Sequence, residues 1–179
     1  MKYTLSFWLI LFMMGTAFSQ DYYFKDKGPF DSDIQTPESF LTYEIGEMHT
    51  RHDLMIMYLI SLADASDRVD YDIYGFTHEQ RPLIMFTISS PKNMERLDEI
   101  KEQHLKFVDP EQSVENYDDV PIFINLGYNV HGNEPSGGEA ALLMAYTLAA
   151  SESEEVLNYL DNAVIFIDPV LNPDGRGRF

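Results

Sequence analysis

The chain has 179 residues, of which 45% are hydrophobic, and this is enough apolar material for one domain with a packed core. It contains no cysteine, which excludes a disulfide scaffold, a cysteine-ligated zinc site and a cysteine nucleophile. The formal net charge of −18 argues against nucleic acid or an anionic membrane surface as a partner, because both require a basic protein surface.

Residues 1–19 have the pattern of a secretory signal peptide. Lys2 supplies a positive charge near the N-terminus, and residues 5–14 are apolar. Ala17 and Ser19 then provide the two small side chains that a signal peptidase recognises. The alternative is a transmembrane anchor, but the apolar run is too short to span roughly 30 Å of hydrocarbon comfortably. The pattern predicts a secreted or periplasmic protein whose mature chain begins at Gln20 or Asp21 and has no membrane span.

Residues 20–35 are polar and predict an irregular N-terminal arm, followed by a domain that we place at residues 36–179. A first helix is predicted to begin after Thr36, because threonine is a good cap and Pro37 suits the first helical position. Helical periodicity of the apolar residues follows, and Gly46 is expected to break or bend this segment.

The next elements are two strands and a helix. Apolar and acidic residues alternate over residues 69–73, which predicts a half-buried strand, and residues 83–89 predict a second strand. The stretch between them fits a hairpin connection. Ser90, which a proline follows, is expected to cap a third helix, and residues 109–119 predict an acidic surface loop.

The C-terminal part predicts a buried strand, a loop rich in Gly, Asn and His, two helices and a second buried strand. The bounds are 120–126, 127–136, 138–150, 153–160 and 163–168. Strand, helix and strand at this spacing form a βαβ unit, so the two strands are expected to be parallel. The fold class is therefore α/β, with a three-layer α/β/α architecture and a mixed sheet.

The loop after the first of these strands is the first candidate site, because sites in open α/β sheets form at the carboxyl ends of strands. His131 offers an imidazole nitrogen, and Glu134 offers a carboxylate three residues later, a spacing that can bring both to one zinc ion. Gly132 and Gly137 are expected to let the backbone bend around the ion. On its own His-x-x-Glu is a weak signal, and an ordinary loop histidine is the alternative.

A second candidate segment follows the strand at residues 163–168. Its residues are Asn172, Pro173, Asp174 and Gly175. Asn-Pro-Asp-Gly alone is a turn sequence. Its position at the end of a neighbouring parallel strand places it beside the first loop.

Three separated segments together resemble the zinc metallocarboxypeptidases of the carboxypeptidase A type. Residues 74–83 are similar to the family's hairpin ahead of its second strand, residues 131–134 to its His-x-x-Glu pair, and residues 172–175 to its turn after the next strand. The resemblance covers residues 36–179. It implies a phosphorylase/hydrolase-like α/β/α fold that is incomplete at its C-terminal end.

The resemblance also implies an activity and a cofactor. The ligands of a Zn²⁺ ion would be His131 and Glu134, the substrate would be a peptide or protein, and metal-activated water would hydrolyse its C-terminal residue. The Asn-Pro-Asp-Gly turn would shape the floor of the site without taking part in the chemistry. Asn133 stands where many family members have a substrate-binding arginine, which makes it the candidate substrate-binding residue here.

The family's third zinc ligand, a later histidine, and its general-base glutamate have no candidate here. No catalytic residue is therefore expected within this chain, which is predicted to be an N-terminal part without activity of its own. Arg176 and Arg178 are not expected to be the family's oxyanion arginine. Four upstream histidines are expected to have surface or packing roles: His49, His52, His78 and His104.

Two alternatives stay open. The first is a non-catalytic secreted relative that uses the same loop to bind a peptide or glycan. The second is a zinc deacylase of N-acyl amino acids, which the His-Gly-Asn-Glu form also resembles. A later histidine and glutamate would favour the peptidase over the binding protein, and a substrate panel would separate the deacylase.

Overall fold

The computed structural model describes residues 22–112 and 117–179, so the predicted signal peptide at residues 1–19 lies outside the described residues. No helix in the described part is both long and apolar enough to cross a membrane. The elements in chain order are α1 (Pro37–Leu41), α2 (His52–Ala65), β1 (Val69–Phe76), β2 (Pro82–Ile88), α3 (Pro91–Met94), α4 (Leu97–Val108), β3 (Ile122–Gly127), α5 (Pro135–Ala150), α6 (Glu154–Asn162), β4 (Ala163–Asp168) and α7 (Pro173–Arg176).

The described strands form one mixed sheet in the order β1-β2-β4-β3. β1 and β2 are the predicted antiparallel hairpin, in which Val69 lies opposite Ile88. β4 runs antiparallel to β2 and parallel to β3, with Gly127 opposite Asp168 at their carboxyl ends. The helices α5 and α6 connect β3 to β4, which confirms the predicted βαβ unit.

Helices cover both faces of the sheet, which confirms the three-layer α/β architecture. On one face, α2 and α5 contribute to a single buried cluster in which Leu142 and Ile167 are fully enclosed. On the other face, the His104 ring of α4 stacks on Phe123 of β3, with 4.0 Å between ring centroids. Phe123 in turn meets Phe166 of β4 edge to face. Apolar burial on both faces is the main favourable term that holds such a sheet together.

The first helix starts after Thr36 as predicted, whereas the helix predicted over residues 153–160 starts at Glu154, with Ser153 as its cap. The Thr36 hydroxyl accepts a hydrogen bond from the Ser39 amide at 3.2 Å, and the Ser153 hydroxyl accepts one from the Val156 amide at 3.4 Å. Each bond satisfies one of the backbone N–H groups that the first turn of a helix leaves without a partner.

One predicted helix break is correct, and two other local predictions differ from the structure. The first helix ends at Leu41, because Thr42 takes a left-handed φ of 68°, and Gly46, with a φ of 94°, lies within the break at residues 42–51, as predicted. Ser90 occupies the cap position of α3, but its buried hydroxyl has no hydrogen-bond partner in the described part of the chain. The predicted third helix is also two helices, since α3 stops at Met94 and α4 starts at Leu97.

The prediction that both parallel strands are buried is correct for β4 and wrong for β3. Most of β4 is buried, whereas β3 forms the edge of the described sheet and pairs there with β4 alone. Ile122 is 58% exposed. Together with Ile124 and Leu126, it lines an open apolar groove of about 410 Å³ beside α5 and α6. An apolar run therefore predicted the strand, but not how many neighbours it has.

The described part of the N-terminal arm packs against the domain. Phe30 stacks on Tyr146 of α5, with 5.2 Å between ring centroids. The Asp31 amide donates to the Ala150 carbonyl at 2.8 Å, and Lys27 forms an ion pair with Glu155 at 2.9 Å. Residues 22–23 are helical, the following residues form turns, and the described part of the arm lies against the C-terminal end of α5.

Candidate functional site

The candidate site lies where the parallel strands β3 and β4 end. Beyond their last pair, the Tyr128 amide donates to the Asp168 carbonyl at 2.9 Å, and the Leu171 amide donates to the Tyr128 carbonyl at 2.9 Å. These two bonds extend the strand pairing into the loops that follow. The sequence prediction that the two loops lie side by side is therefore correct.

The two loops also touch backbone to backbone. A Cβ atom on Gly132 would lie only 1.9 Å from the carbonyl carbon of Gly175, so glycine is required there by close approach. Asn172 adds a side-chain link, because its Nδ2 donates to the Val130 carbonyl at 3.1 Å. The sequence-based explanation, that Gly132 lets the chain bend sharply, is replaced by packing. Gly137 likewise lies against Asn129, and neither glycine has a left-handed φ.

The two candidate metal ligands lie in one tight turn. The Glu134 amide donates to the His131 carbonyl at 3.1 Å, and both side chains are exposed. Glu134 occupies the cap position of α5, yet its carboxylate makes no capping hydrogen bond. Within the described residues the His131 ring has no hydrogen-bond partner either. The imidazole and the carboxylate are therefore open to an external ligand.

A buried network lies directly beneath this turn. Arg176 is only 2% exposed, and its guanidinium donates to the Thr50 carbonyl at 2.6 and 2.9 Å, to Glu139 at 2.7 Å and to the Asn129 Oδ1 at 2.8 Å. Glu139 also accepts from the Thr50 amide and hydroxyl at 2.9 and 2.7 Å. Burial lowers the pKa of Arg176, while the carboxylate of Glu139 opposes that shift. The network ties α5, α7 and the start of α2 together.

The Asn-Pro-Asp-Gly segment forms one turn of helix, where the sequence predicted a simple turn. Asn172 caps it, since its Oδ1 accepts from the Gly175 amide at 2.9 Å, and Pro173 takes the first helical position. Asp174 accepts from the Thr77 hydroxyl and from Arg81, both at 2.7 Å. Together these bonds hold the pKa of Asp174 below its ordinary value, against the effect of desolvation, which raises it. The segment therefore anchors the β1–β2 hairpin to the end of β4.

Asp168, the last residue of β4, forms a side-chain contact with β1 at this end of the sheet. The Tyr74 hydroxyl donates to its carboxylate, and its second oxygen has no hydrogen-bond partner among the described residues. Burial raises the pKa of the Asp168 carboxyl above its ordinary value. Burial and the neighbouring carboxylate raise the pKa of Tyr74 to about 12. This pair fixes the hairpin strand β1 against β4.

The remaining candidates lie around these loops. Asn133 is exposed between the two candidate ligands.

Beside the end of α7, a cavity of about 660 Å³ is lined partly by His49, His52 and Arg81. Burial lowers the pKa of His52, and the nearby positive charges of Arg81 and Arg176 lower it further. Neither His131 nor Glu134 lines this cavity. His52 is buried, His104 is half-buried against Phe123, and His78 is exposed on the hairpin.

The described residues contain no group of three or more His, Cys, Asp or Glu side chains placed to hold one metal ion. The predicted pair, His131 and Glu134, therefore has no third protein ligand beside it within residues 22–112 and 117–179. Whether His131 and Glu134 bind a metal stays a prediction.

The mixed sheet, its covering helices and the two loops at the ends of β3 and β4 define a three-layer α/β domain of the carboxypeptidase fold. A sequence model of the zinc carboxypeptidase family matches residues 55–178, and the chain belongs to that family. Comparison with curated proteins gives no significant match.

The fold is similar to that of a solved protein, thrombin activatable fibrinolysis inhibitor. The TM-score is 0.54 and the sequence identity is 13%, over 79% of this chain and 31% of that chain. This chain therefore spans about a third of the length of the protein that it matches. The likeness confirms the predicted fold class.

The residues that sequence reasoning missed are those of the buried network: Thr50, Asn129, Glu139 and Arg176. One signal was available. Glu139 is the sole charged residue in the 16 residues of α5, an otherwise apolar helix, and a buried acid requires a partner. The position of that partner, 37 residues further on at Arg176, was not available from local sequence.

Proposed function

We propose that His131 and Glu134 are two protein ligands of a catalytic zinc ion in a secreted carboxypeptidase that hydrolyses C-terminal residues of peptides. The observation that carries this proposal is the turn at the end of β3, which presents an imidazole and a carboxylate, both exposed and free of hydrogen bonds within the described residues. Membership of the zinc carboxypeptidase family supports the assignment of the metal and of the reaction class.

The donor set fits zinc in kind but is incomplete in number. A neutral imidazole nitrogen and a carboxylate oxygen are both common zinc ligands, whereas a catalytic site normally uses three protein ligands and keeps one position for water. When bound, zinc would polarise the scissile carbonyl and lower the pKa of the attacking water. The residues of this chain would supply two of the ligands and the rigid floor beneath them.

Two further roles belong to the same proposal. Asn133, exposed between the ligands, would contact the substrate through its neutral side-chain amide. Many members of the family have a charged arginine at this position. The α7 turn would shape the floor, because Asn172 and Gly175 lie against the ligand-bearing loop. Residues 1–19 would direct secretion, on the strength of their charge and apolar pattern.

The first test of the proposal is zinc binding by the purified chain. Replacing His131 with alanine, or Glu134 with glutamine, is expected to remove specific zinc binding, because each change leaves a single ligand. Loss of a residue that only orients a metal ligand typically lowers metal affinity by about 10–100-fold, and loss of a ligand itself should lower it more. Competition against a chromophoric zinc chelator measures the effect.

The matched control is His78→Ala, which removes an exposed histidine from the hairpin. Its zinc affinity should equal that of the parent chain. If His131→Ala and His78→Ala bind zinc equally well, the proposed ligand assignment is wrong.

The second test concerns catalysis. The 179-residue chain is expected to show no zinc-dependent release of C-terminal amino acids from peptides, because the described residues offer no third ligand beside His131 and Glu134. Amino-acid release from a peptide panel, followed by mass spectrometry with and without added zinc, measures this. Release that chelation abolishes would contradict the expectation.

A further inference from the structure

The backbone of the ligand-bearing turn is held by one side chain, that of Asn129. Its Nδ2 donates to the His131 carbonyl at 2.9 Å and to the Glu134 carbonyl at 3.1 Å. A single amide group therefore fixes the peptide units of both candidate ligands. Asn129 has a left-handed φ of 51°, a conformation that asparagine tolerates better than most residues, and it is only 5% exposed.

The orientation of this amide is determined by its neighbours. Its Oδ1 accepts from Arg176 at 2.8 Å, and arginine can only donate. The His131 and Glu134 carbonyls can only accept, so the Nδ2 must face them. The reversed amide would place an oxygen against two carbonyl oxygens and an NH₂ group against a guanidinium.

Arg176 is itself immobilised, which makes it a fixed anchor for the amide. It is bonded to Thr50 and Glu139 inside the protein. Gly138 leaves the space that the guanidinium occupies, because a Cβ there would lie 2.5 Å from its Nη1. The buried network therefore extends from Arg176 to Asn129, and the Asn129 amide in turn bonds to the carbonyls of the two candidate ligand residues.

We propose that Asn129 is a positioning residue that sets the geometry of the His131–Glu134 pair. This inference rests on the proposed zinc site and deepens it. Asn129 touches neither the metal nor the substrate. It acts by ordering the turn before the ion arrives, so that binding does not have to order the loop.

Two variants isolate this role. Asn129→Gly removes the side chain and tolerates the left-handed φ. Asn129→Asp keeps nearly the same shape and can still accept from Arg176, but its carboxylate cannot donate to the two carbonyls. Both variants are expected to lower zinc affinity by about 10–100-fold, the usual effect of losing a partner that orients a metal ligand. A purely structural role through Arg176 would leave Asn129→Asp at the parent affinity.

The matched control is Asn93→Ala. Asn93 is also buried, and its Nδ2 also donates to two backbone carbonyls, those of Leu160 and Asp161, at 3.0 Å each. It lies in the short helix α3, outside the two loops. Its replacement should cost similar stability and leave zinc affinity unchanged. Equal zinc affinities for the parent and both Asn129 variants would overturn the proposal.

Hydrogen exchange of the metal-free chain gives an independent readout. The Glu134 amide, which donates to the His131 carbonyl, should exchange faster in Asn129→Gly and Asn129→Asp than in the parent and in Asn93→Ala. Unchanged exchange would overturn the positioning role. If zinc binding by the parent does not depend on His131, the proposed zinc site fails, and this exchange result alone then decides whether Asn129 orders the turn.

Discussion

Replacing Glu139 with alanine is expected to lower the free energy of unfolding by about 3–5 kcal/mol, because the change leaves a buried guanidinium without its counter-charge. The side chains of Arg176 and Glu139 are only 1% and 9% exposed, and they lie 2.7 Å apart. The same change also removes the acceptor for the Thr50 amide and hydroxyl. Urea denaturation followed by circular dichroism measures the loss.

An exposed ion pair provides the control for this prediction. Arg51 and Asp53 lie 2.5 Å apart, but their side chains are 75% and 55% exposed. Asp53→Ala is therefore expected to change the free energy of unfolding by less than about 1 kcal/mol. Glu139→Gln should fall between the two, because it keeps an acceptor and loses the charge. Similar effects for Glu139→Ala and Asp53→Ala would show that the buried pair has no special role.

Local signals in the sequence were sufficient for most of the fold. The apolar, β-branched run Ala163–Asp168 gave β4 with the bounds that the structure has. Thr36 marked a helix start that the structure confirms, because a cap acts within three residues of itself. The parallel pairing followed from connection length and handedness, which depend on order along the chain.

Features that depend on distant partners were not predictable in this way. β3 has the composition of a buried strand, but burial depends on which strands and helices lie next to it. The split between α3 and α4, and the end of α1 at Leu41, are not visible in helical periodicity, which marks the apolar face of a helix but not its ends.

The same division holds at the candidate site. The position of His131 and Glu134 at a strand end was predictable, because parallel strands end at one edge of a sheet. The floor beneath them was not, since it depends on one pairing between Arg176 and Glu139 across 37 residues. Whether the pair binds zinc stays a prediction.

The final prediction concerns the contact between the two loops. Gly132→Ala is expected to lower the free energy of unfolding by at least about 3 kcal/mol, at or above the usual upper end for overpacking. The added Cβ would lie 1.9 Å from the carbonyl carbon and 2.0 Å from the carbonyl oxygen of Gly175. Both are backbone atoms, so no side-chain rotation relieves the clash, and the loops must separate. Thermal and urea denaturation measure the loss.

Gly75→Ala is the matched control, because its added Cβ would meet only a Leu83 methyl group at 3.9 Å, an ordinary contact. Alanine at that strand position should be neutral or slightly stabilising, since it lowers the entropy of the unfolded chain. The separation of the loops in Gly132→Ala should also weaken zinc binding, because Gly132 lies between His131 and Glu134. A Gly132→Ala variant as stable as Gly75→Ala would mean that the loops have room to move apart. In that case the rigid floor that the proposed zinc site and the proposed role of Asn129 both require would not exist.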